Sequence, residues 1–303
     1  MEEYLKLCEK VFEVDQVVQG VIPEGDDQCR FDYKKLEEAL KIIIRKRLQN
    51  EHASLAEEDM TAEAVRTFLV ATNSLHADGP PAIFRSYSCR GRSASECAIW
   101  EAGRATSAVP TFFKPITIKT PQPGITYADG GLTYNNPTEL ALQEAQRIWP
   151  SAQKFCVVSV GTGRLRAVRI AELQGSNGND ITGIPDWIPL LGSVHRLSSG
   201  VISLRRMAEA CVTLATNSEP AHQRVFKQAN SSAPATRFPY HRFNVGRDMQ
   251  DIGFQEWQKI EEIASHTLSF MEESEGEIMR DNCVTDLMKL QPFRTSGAQG
   301  GFQ

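Results

Sequence analysis

Apolar residues recur at helical spacing in two stretches near the beginning of the chain, which predicts two amphipathic helices. The first stripe comprises Tyr4, Leu7, Cys8, Val11 and Phe12, so the chain opens inside a helix with almost no lead-in. The second comprises Tyr33, Leu36, Leu40, Ile43, Ile44 and Leu48, and Asp32 stands where its side chain can cap that helix. This second helix also carries the cations Lys41, Arg45, Lys46 and Arg47. Cations near a helix C-terminus usually complement the helix dipole in water, and a membrane or nucleic-acid patch is the alternative interpretation.

From about residue 66 the pattern changes to short apolar runs of strand length, which alternate with helical stretches. The runs cover residues 67–72, 83–87, 126–128 and 155–160. Between them, the capping-box spacing of Ser93-Ala94-Ser95-Glu96 predicts a helix through Trp100 and Ala105. Asn136-Pro137-Thr138-Glu139 predicts the start of another helix, which runs to Trp149. The alternation predicts the fold class α/β, with a mostly parallel sheet flanked by helices.

The rest of the chain is less regular. Residues 164–200 are rich in Gly, Asn, Ser and Pro, which predicts a long polar loop at the surface. Helices are predicted at about 201–217 and 254–273, with a short strand at 240–245 between them. The Gly- and Gln-rich residues 291–303 are predicted to form a flexible tail.

Composition narrows the classes of function. The 303 residues carry a formal net charge of −5, which argues against binding of nucleic acid through phosphate neutralisation. No apolar run approaches the length of a membrane span, and the first residues lack the order of a signal peptide. The seven scattered cysteines favour reduced thiols, so the predicted location is cytoplasmic. No metal-binding motif occurs in the sequence, and we expect neither a metal nor a cofactor.

Asp129, Gly130 and Gly131 are the candidate site residues, because they follow a predicted strand at its carboxyl end. Two glycines after an aspartate allow positive φ angles and leave the carboxylate uncrowded, so that it can act as a base. An Asp-Gly pair is also a common turn signal, and a simple turn is the alternative. Gly161-Thr162-Gly163 resembles part of a phosphate-binding loop, but position 166 is Arg, and a tight turn after a strand is favoured.

Three blocks of the sequence resemble the patatin-like phospholipase family, and they occur in the family's order. The blocks are residues 99–113, 127–132 with the following Asn135-Asn136-Pro137, and 158–163. Residues 215–219 and 240–245 resemble segments of the fungal members. The resemblance implies a partial patatin-like three-layer fold, with the patatin-like domain at 1–163, its mainly helical continuation at 164–290 and the tail at 291–303.

The resemblance also implies a lipid acyl hydrolase that works with a Ser-Asp dyad. Asp129 matches the family's proton acceptor, within the motif Asp129-Gly130-Gly131. The implied substrates are lipid or phospholipid acyl esters, met through peripheral membrane contact, and no metal takes part. Arg104, Ser107 and Asn135 lie within the matched blocks, but they are interpreted as residues that hold the loop bearing Asp129.

The sequence departs from the family at the nucleophile. The family's oxyanion loop and Gly-x-Ser-x-Gly elbow precede the first helix, and this chain contains neither. The nearest approach is Gly91-Arg92-Ser93-Ala94-Ser95, whose last position lacks the glycine and whose Ser93 is predicted to cap a helix. We therefore expect an N-terminally truncated domain that is inactive, and that either folds poorly alone or is supplied with the missing part by a longer natural product. The alternatives are a catalytically silent lipid-binding relative and a non-lipid interaction module.

Overall fold

The computed structural model describes residues 2–13, 29, 31–56, 64–110, 112–119, 124–152, 154–163, 217–232, 237–246, 249, 252 and 256–290. The described residues form two compact units. The first unit holds those up to Pro137, together with 217–218 and 256–258. The second unit holds the described residues within 138–163, 219–252 and 259–290. The division into 1–163, 164–290 and 291–303 that the resemblance implies stays a prediction.

Two amphipathic helices open the first unit, as predicted: α1 spans Glu2–Val11 and α2 spans Tyr33–Leu48. Asp32 caps α2, because its Oδ1 accepts a hydrogen bond of 2.8 Å from the amide of Lys34. The apolar faces meet in a cluster of Val11, Phe31, Leu36, Ala39 and Phe113. The interlocking aromatic rings in this cluster contribute more than their buried area alone.

The first unit contains a four-stranded sheet in the order β2-β1-β4-β3. The strands are β1 (Phe68–Asn73), β2 (Ala82–Arg85), β3 (Ile116–Ile118) and β4 (Ile125–Asp129). Each pair of neighbouring strands is antiparallel, and the central pair sets Ala71 of β1 opposite Asp129 of β4.

The predicted α/β class agrees with this mixture of helices and strands, but the prediction of a mostly parallel sheet is wrong for these four strands. Residues 74–81 link β1 to β2 and residues 119–124 link β3 to β4. A parallel pair needs a crossover of about a dozen residues or more, so connections this short join antiparallel neighbours.

Helix α3 spans Ile99–Thr106, and it begins later than the capping-box spacing predicted. Residues 93–96 are not helical; instead the Ser95 hydroxyl accepts a 3.0 Å hydrogen bond from the amide of Arg85 in β2. The N-terminal end of the helix is capped at Ala98, whose amide donates a 2.8 Å hydrogen bond to the Glu101 carboxylate. The predicted cap at Ser93 is therefore wrong, because contacts with the neighbouring strand hold this segment outside the helix.

The core of the first unit lies between α3 and the sheet. Its buried members are Leu55, Ala71, Phe84, Cys97, Ala102, Ala105, Ile116 and Ile118. The two α3 alanines are fully buried, and their small side chains allow close approach of the helix to the strands. A single helical turn, α4 (Gly131–Tyr134), follows β4 directly.

The second unit contains a parallel pair of strands, β5 (Val157–Val160) and β6 (Tyr240–Phe243). Its helices are α5 (Thr138–Ile148), α6 (Glu219–Ala229), α7 (Ile260–Glu272) and α8 (Ser274–Met288). A 3-10 turn at Trp257–Lys259 precedes α7. The core of this unit is formed by Leu142, Val225, Ala229 and Phe238, with Phe155, Val157 and Tyr240 packed against them.

Most predicted elements of the second unit are present with shifted ends. The helix predicted at 254–273 begins at Ile260, and neither α6 nor α8 was predicted. Helix α8 has no single apolar face, and its packing depends on Gly276, where any side chain would overlap the carbonyl oxygen of Phe270. The predicted helix at 201–217, all but its last residue, lies outside the described residues, as do the loop at 164–200 and the tail at 291–303.

Candidate active site

The backbone of Asp129 is held from two sides at the end of β4. Its amide donates a 3.0 Å hydrogen bond to the carbonyl oxygen of Ala108, in the segment that follows α3. Its carbonyl oxygen accepts a 2.9 Å hydrogen bond from the hydroxyl of Thr72 in β1. The Thr72 hydroxyl also lies 3.1 Å from that of Thr133 in α4. One buried threonine therefore joins the central strand, the candidate base and the following helical turn.

Gly130 is required here by close packing. Its φ and ψ angles are −70° and −23°, which any residue can adopt. A side chain at this position would overlap the carbonyl oxygen of Val70 in β1. The expectation that these glycines supply positive φ angles is therefore wrong: among the described glycines only Gly91 and Gly163 have them. The strand that lies under the turn excludes a side chain.

The second glycine, Gly131, contacts the carboxylate of Asp129 directly. The amide of Gly131 donates a short hydrogen bond to Asp129 Oδ1. A Cβ atom at Gly131 would lie 2.7 Å from the same oxygen. The missing side chain therefore allows the aspartate to fold back over the start of α4. This arrangement fixes one carboxylate oxygen in place.

The surroundings of Asp129 make its carboxylate bind a proton more readily than the carboxylate of an ordinary aspartate does. Burial raises the pKa of the Asp129 carboxyl to about 6, and the hydrogen bond from the Gly131 amide acts in the opposite direction. Desolvation disfavours the charged form, whereas donation to an oxygen stabilises it. A carboxyl with this pKa is ionised at neutral pH and takes up a proton with little cost, as a general base requires.

Arg104, one of the polar residues in the matched blocks, acts within the core of the first unit. The side chain is 1% exposed, and its Nε lies 3.7 Å from a carboxylate oxygen of Glu37 in α2. It donates to the carbonyl oxygen of Lys114 and lies against the rings of Tyr33 and Phe113. Burial lowers the pKa of the Arg104 guanidinium, while Glu37 opposes that shift. These contacts make Arg104 a structural residue, but they are contacts with α2 and with residues 113–114 and not with the loop that bears Asp129.

Ser107 and Asn135 lie at the ends of helical turns. Ser107 follows the last residue of α3, and its carbonyl oxygen accepts a 2.9 Å hydrogen bond from the amide of Val109. Asn135 follows α4, with its Oδ1 close to Gly131. Both positions agree with residues that shape the segments around Asp129.

The Gly161-Thr162-Gly163 segment of the second unit is a tight turn after β5, as the favoured interpretation predicted. The Gly161 amide donates to the carbonyl oxygen of Phe243 at 2.8 Å, and the Gly163 amide donates to Asn244 Oδ1 at 2.9 Å. A side chain at Gly161 would overlap Asn244, and Gly163 has a φ angle of +104°. These two amides therefore stabilise the turn and its neighbouring strand.

The nearest match to a serine elbow is also a turn. The amide and carbonyl groups of Cys89 and Arg92 exchange two hydrogen bonds, of 2.9 and 2.8 Å, around a turn in which Gly91 has a φ angle of +73°. Ser93 follows this small hairpin and is exposed. The hairpin lacks the strand-to-helix geometry of a nucleophile elbow, because α3 begins only at Ile99.

Sequence reasoning missed a polar network in the second unit. The buried hydroxyl of Ser159 lies 3.1 Å from that of Thr138 and accepts a 2.7 Å hydrogen bond from Arg242. Nearby, the Tyr240 hydroxyl lies 2.9 Å from Nδ1 of His222. The signal was the serine that interrupts the apolar run Val157–Val160, since a polar side chain that becomes buried in a strand needs a hydrogen-bond partner.

No group of three or more His, Cys, Asp and Glu side chains within the described ranges is arranged to hold a metal ion. Among the helices that the structure describes, none combines the length and apolar character needed to cross a membrane.

Most of the first unit, with its Asp-Gly-Gly site, is similar to one known protein family. Residues 3–142 match the patatin-like phospholipase family model, and the match includes Asp129, Gly130 and Gly131. The match includes two of the three blocks, at 99–113 and 127–137, so the resemblance to this family is confirmed there; the block at 158–163 lies beyond the matched residues. The assignment to the fungal members stays a prediction.

Individual relatives agree with this family. Calcium-independent phospholipase A2-gamma from Mus musculus is 30% identical over 170 residues, which cover 54% of this chain and 20% of the relative. The Homo sapiens protein of that name is 41% identical over 66 residues, or 22% of this chain and 8% of the relative. Phospholipase A I from Arabidopsis thaliana is 37% identical over 65 residues, or 22% of this chain and 5% of the relative. The chain thus spans a fifth or less of the length of these relatives.

Proposed function

We propose that this chain carries the proton-accepting half of a patatin-like lipid acyl hydrolase, with Asp129 as the base of a Ser-Asp dyad. The observation that carries the proposal is the Asp129 carboxyl itself. It lies at the carboxyl end of β4, one oxygen is held by the Gly131 amide, and burial raises its pKa to about 6. A general base is most effective when its pKa lies near the working pH.

In the proposed reaction, a serine hydroxyl attacks the acyl carbonyl carbon of a lipid ester while its proton passes to the Asp129 carboxylate. Asp129 then returns this proton to the leaving alcohol oxygen as the ester C–O bond breaks. Water next attacks the acyl-serine and gives a proton to Asp129. Return of that proton to the serine oxygen releases the fatty acid and restores both groups.

The serine is proposed to come from a segment that precedes Met1 in the natural protein. Gly-x-Ser-x-Gly occurs nowhere in the 303 residues, and Ser93 follows a hairpin and not a nucleophile elbow. The 303-residue chain is therefore proposed to be inactive by itself. Loss of the serine from a unit of this kind typically removes several orders of magnitude of activity.

The substrates proposed are phospholipid or other lipid acyl esters, met at a membrane surface, in a reducing cytoplasmic location. Membership of a phospholipase family supports the substrate class. The scattered positions of the seven cysteines favour reduced thiols, which supports the location.

The test begins with the genomic sequence upstream of the Met1 codon. We expect an in-frame Gly-x-Ser-x-Gly there, and phospholipid hydrolysis by the extended protein, followed as fatty-acid release. Asp129→Asn in that extended protein should lower kcat by about 10³-fold or more. Asp78→Asn, an exposed loop substitution, is the matched control and should leave kcat unchanged. An upstream sequence without the motif, or turnover that survives Asp129→Asn, would overturn the proposal.

A catalytically silent lipid-binding relative is the second candidate, and the missing nucleophile motif is the observation that favours it. It predicts saturable binding of a fluorescent fatty acid by the chain, with no ester turnover by any natural form of the protein. Ester hydrolysis that disappears in Asp129→Asn would exclude this candidate.

A further inference from the structure

Several aliphatic side chains are exposed in the last two turns of α2, whereas aliphatic side chains earlier in the helix are buried. Leu36 and Ala39 are 8% and 2% exposed. Ile42, Ile43 and Leu48 are 43%, 38% and 53% exposed, although the helical spacing placed Ile43 and Leu48 on the buried stripe. This end of the helix therefore carries apolar surface that the core of the first unit does not cover.

The same turns are strongly basic. Residues 41–48 contain four cations and no acidic residue, in a chain whose formal net charge is −5. The side chains of Arg45, Lys46 and Arg47 are exposed. We call Ile42, Ile43, Arg45, Lys46, Arg47 and Leu48 the basic end of α2.

The charged neighbours of this surface leave it positive. Arg45 contacts two acidic groups, Glu51 at 2.7 Å and Glu38 at 3.9 Å. Lys41 lies over the ring of Trp100, 4.1 Å from its centroid, at the side of the helix that faces α3. The sum over residues 34–51 remains positive, because six Lys and Arg residues stand against three Glu residues.

We propose that the basic end of α2 is a docking surface for a bilayer that contains anionic phospholipid. Aliphatic side chains among cations are the pattern by which interfacial helices bind: the apolar groups enter the headgroup region and the cations meet lipid phosphates. A nucleic acid would engage the cations and leave the aliphatic groups unused. The inference deepens the proposed function, because it states where a lipid hydrolase would meet its substrate, but it does not depend on turnover.

The experiment is co-sedimentation of the full 303-residue chain with vesicles of phosphatidylcholine, with or without about 30 mol% phosphatidylserine. Binding is expected with phosphatidylserine, and it should be at least about tenfold weaker without it. Raising the salt concentration should weaken binding, since salt screens exposed charges.

Paired variants separate the two parts of the surface. Lys46→Glu with Arg47→Glu should reduce the partition coefficient at least about tenfold. Ile42→Ser with Leu48→Ser should also reduce the partition coefficient. Adding Lys46→Arg, which keeps the charge, should not restore the binding that is lost with these aliphatic groups. The matched controls lie in the second unit: Lys154→Glu with Lys227→Glu for charge, and Leu268→Ser with Ile278→Ser for exposed aliphatic groups. Both controls should bind vesicles like the natural chain.

Three outcomes would overturn the inference: equal binding to neutral and anionic vesicles, equal loss in the control variants, or charge-dependent binding to RNA that the aliphatic substitutions leave intact. Circular dichroism of each variant establishes that it is folded. Asp129→Asn should bind vesicles like the natural chain. In the extended protein, loss of docking with retained hydrolysis, or the reverse, therefore separates this inference from the proposed function.

Discussion

The hydroxyl of Thr72 lies 2.9 Å from the carbonyl oxygen of Asp129 and donates a hydrogen bond to it. Thr72 belongs to the central strand β1, whereas Asp129 ends the neighbouring strand β4. The threonine is 3% exposed, so water does not replace this hydrogen bond easily. The position of the candidate base therefore depends on a side chain 57 residues earlier in the chain.

Replacement of Thr72 by valine tests this dependence. Thr72→Val keeps the shape but leaves the Asp129 carbonyl oxygen without its donor, so the free energy of unfolding should fall by about 1–2 kcal/mol. Thr72→Ser retains the hydroxyl and should lose less. The measurement is urea denaturation. Thr117→Val is a suitable control, because the Thr117 hydroxyl bonds to Thr126 on an exposed part of the sheet. Equal stability of Thr72→Val and the natural chain would contradict the prediction.

Alanine at Gly130 should be strongly destabilising, although its backbone angles suit alanine. The added Cβ would overlap the carbonyl oxygen of Val70, and the strand has to move to admit it. We expect a loss of about 3 kcal/mol in urea denaturation. The control is Gly246→Ala, where no heavy atom lies within 4 Å of the added Cβ. Similar effects at the two positions would show that the overlap does not determine the stability.

The raised pKa of Asp129 predicts how stability changes with pH. The pKa rises from 3.8 to about 6 on folding, so the folded chain binds the proton more tightly than the unfolded chain. The resulting stabilisation is complete below about pH 4 and is lost as the pH rises through about 6. Asp129→Asn removes this loss. Its free energy of unfolding relative to the natural chain should therefore increase by about 3 kcal/mol between acidic and neutral pH.

Urea denaturation of both proteins at several pH values provides this difference, and titration of the Asp129 carboxyl carbon by NMR provides the pKa directly. A difference that stays constant across this range, or a carboxyl that titrates near 3.8, would contradict the prediction.

We expect lysine to be a poor substitute for Arg104. Arg104 is buried, pairs with Glu37 and donates to the Lys114 carbonyl oxygen, and a lysine ammonium cannot reach both partners in the same way. Arg104→Lys should lower the free energy of unfolding by about 2 kcal/mol. Arg92→Lys, at an exposed position, should change it by less than about 0.5 kcal/mol. If Arg104→Lys changed the free energy of unfolding by a similarly small amount, the guanidinium group would not be needed for stability.

Hydrophobic periodicity and capping residues correctly predicted the helices whose signals come from residues close together in the sequence. Helix α2 and its Asp32 cap are the clearest case, because both signals operate within one or two turns. The start of α3 was wrong, since Ser95 bonds to β2 instead of starting a helix. The Asp-Gly-Gly motif was identified correctly as the end of a strand. Its glycines were explained incorrectly, because Val70 lies far from them in the sequence.

The amino-acid sequence by itself determined the approximate positions of α1, α2, α3, α5 and α7 and of every strand except β3. It also determined that the segment resembles patatin-like phospholipases and that Asp129 is the candidate base. These properties depend on local spacing and on motifs of a few residues. Only the tertiary structure decided that the sheet of the first unit is antiparallel, that Gly130 is packed against Val70 and that burial raises the pKa of Asp129. Each of these depends on contacts between residues distant along the chain, which no local pattern of apolar and polar residues specifies.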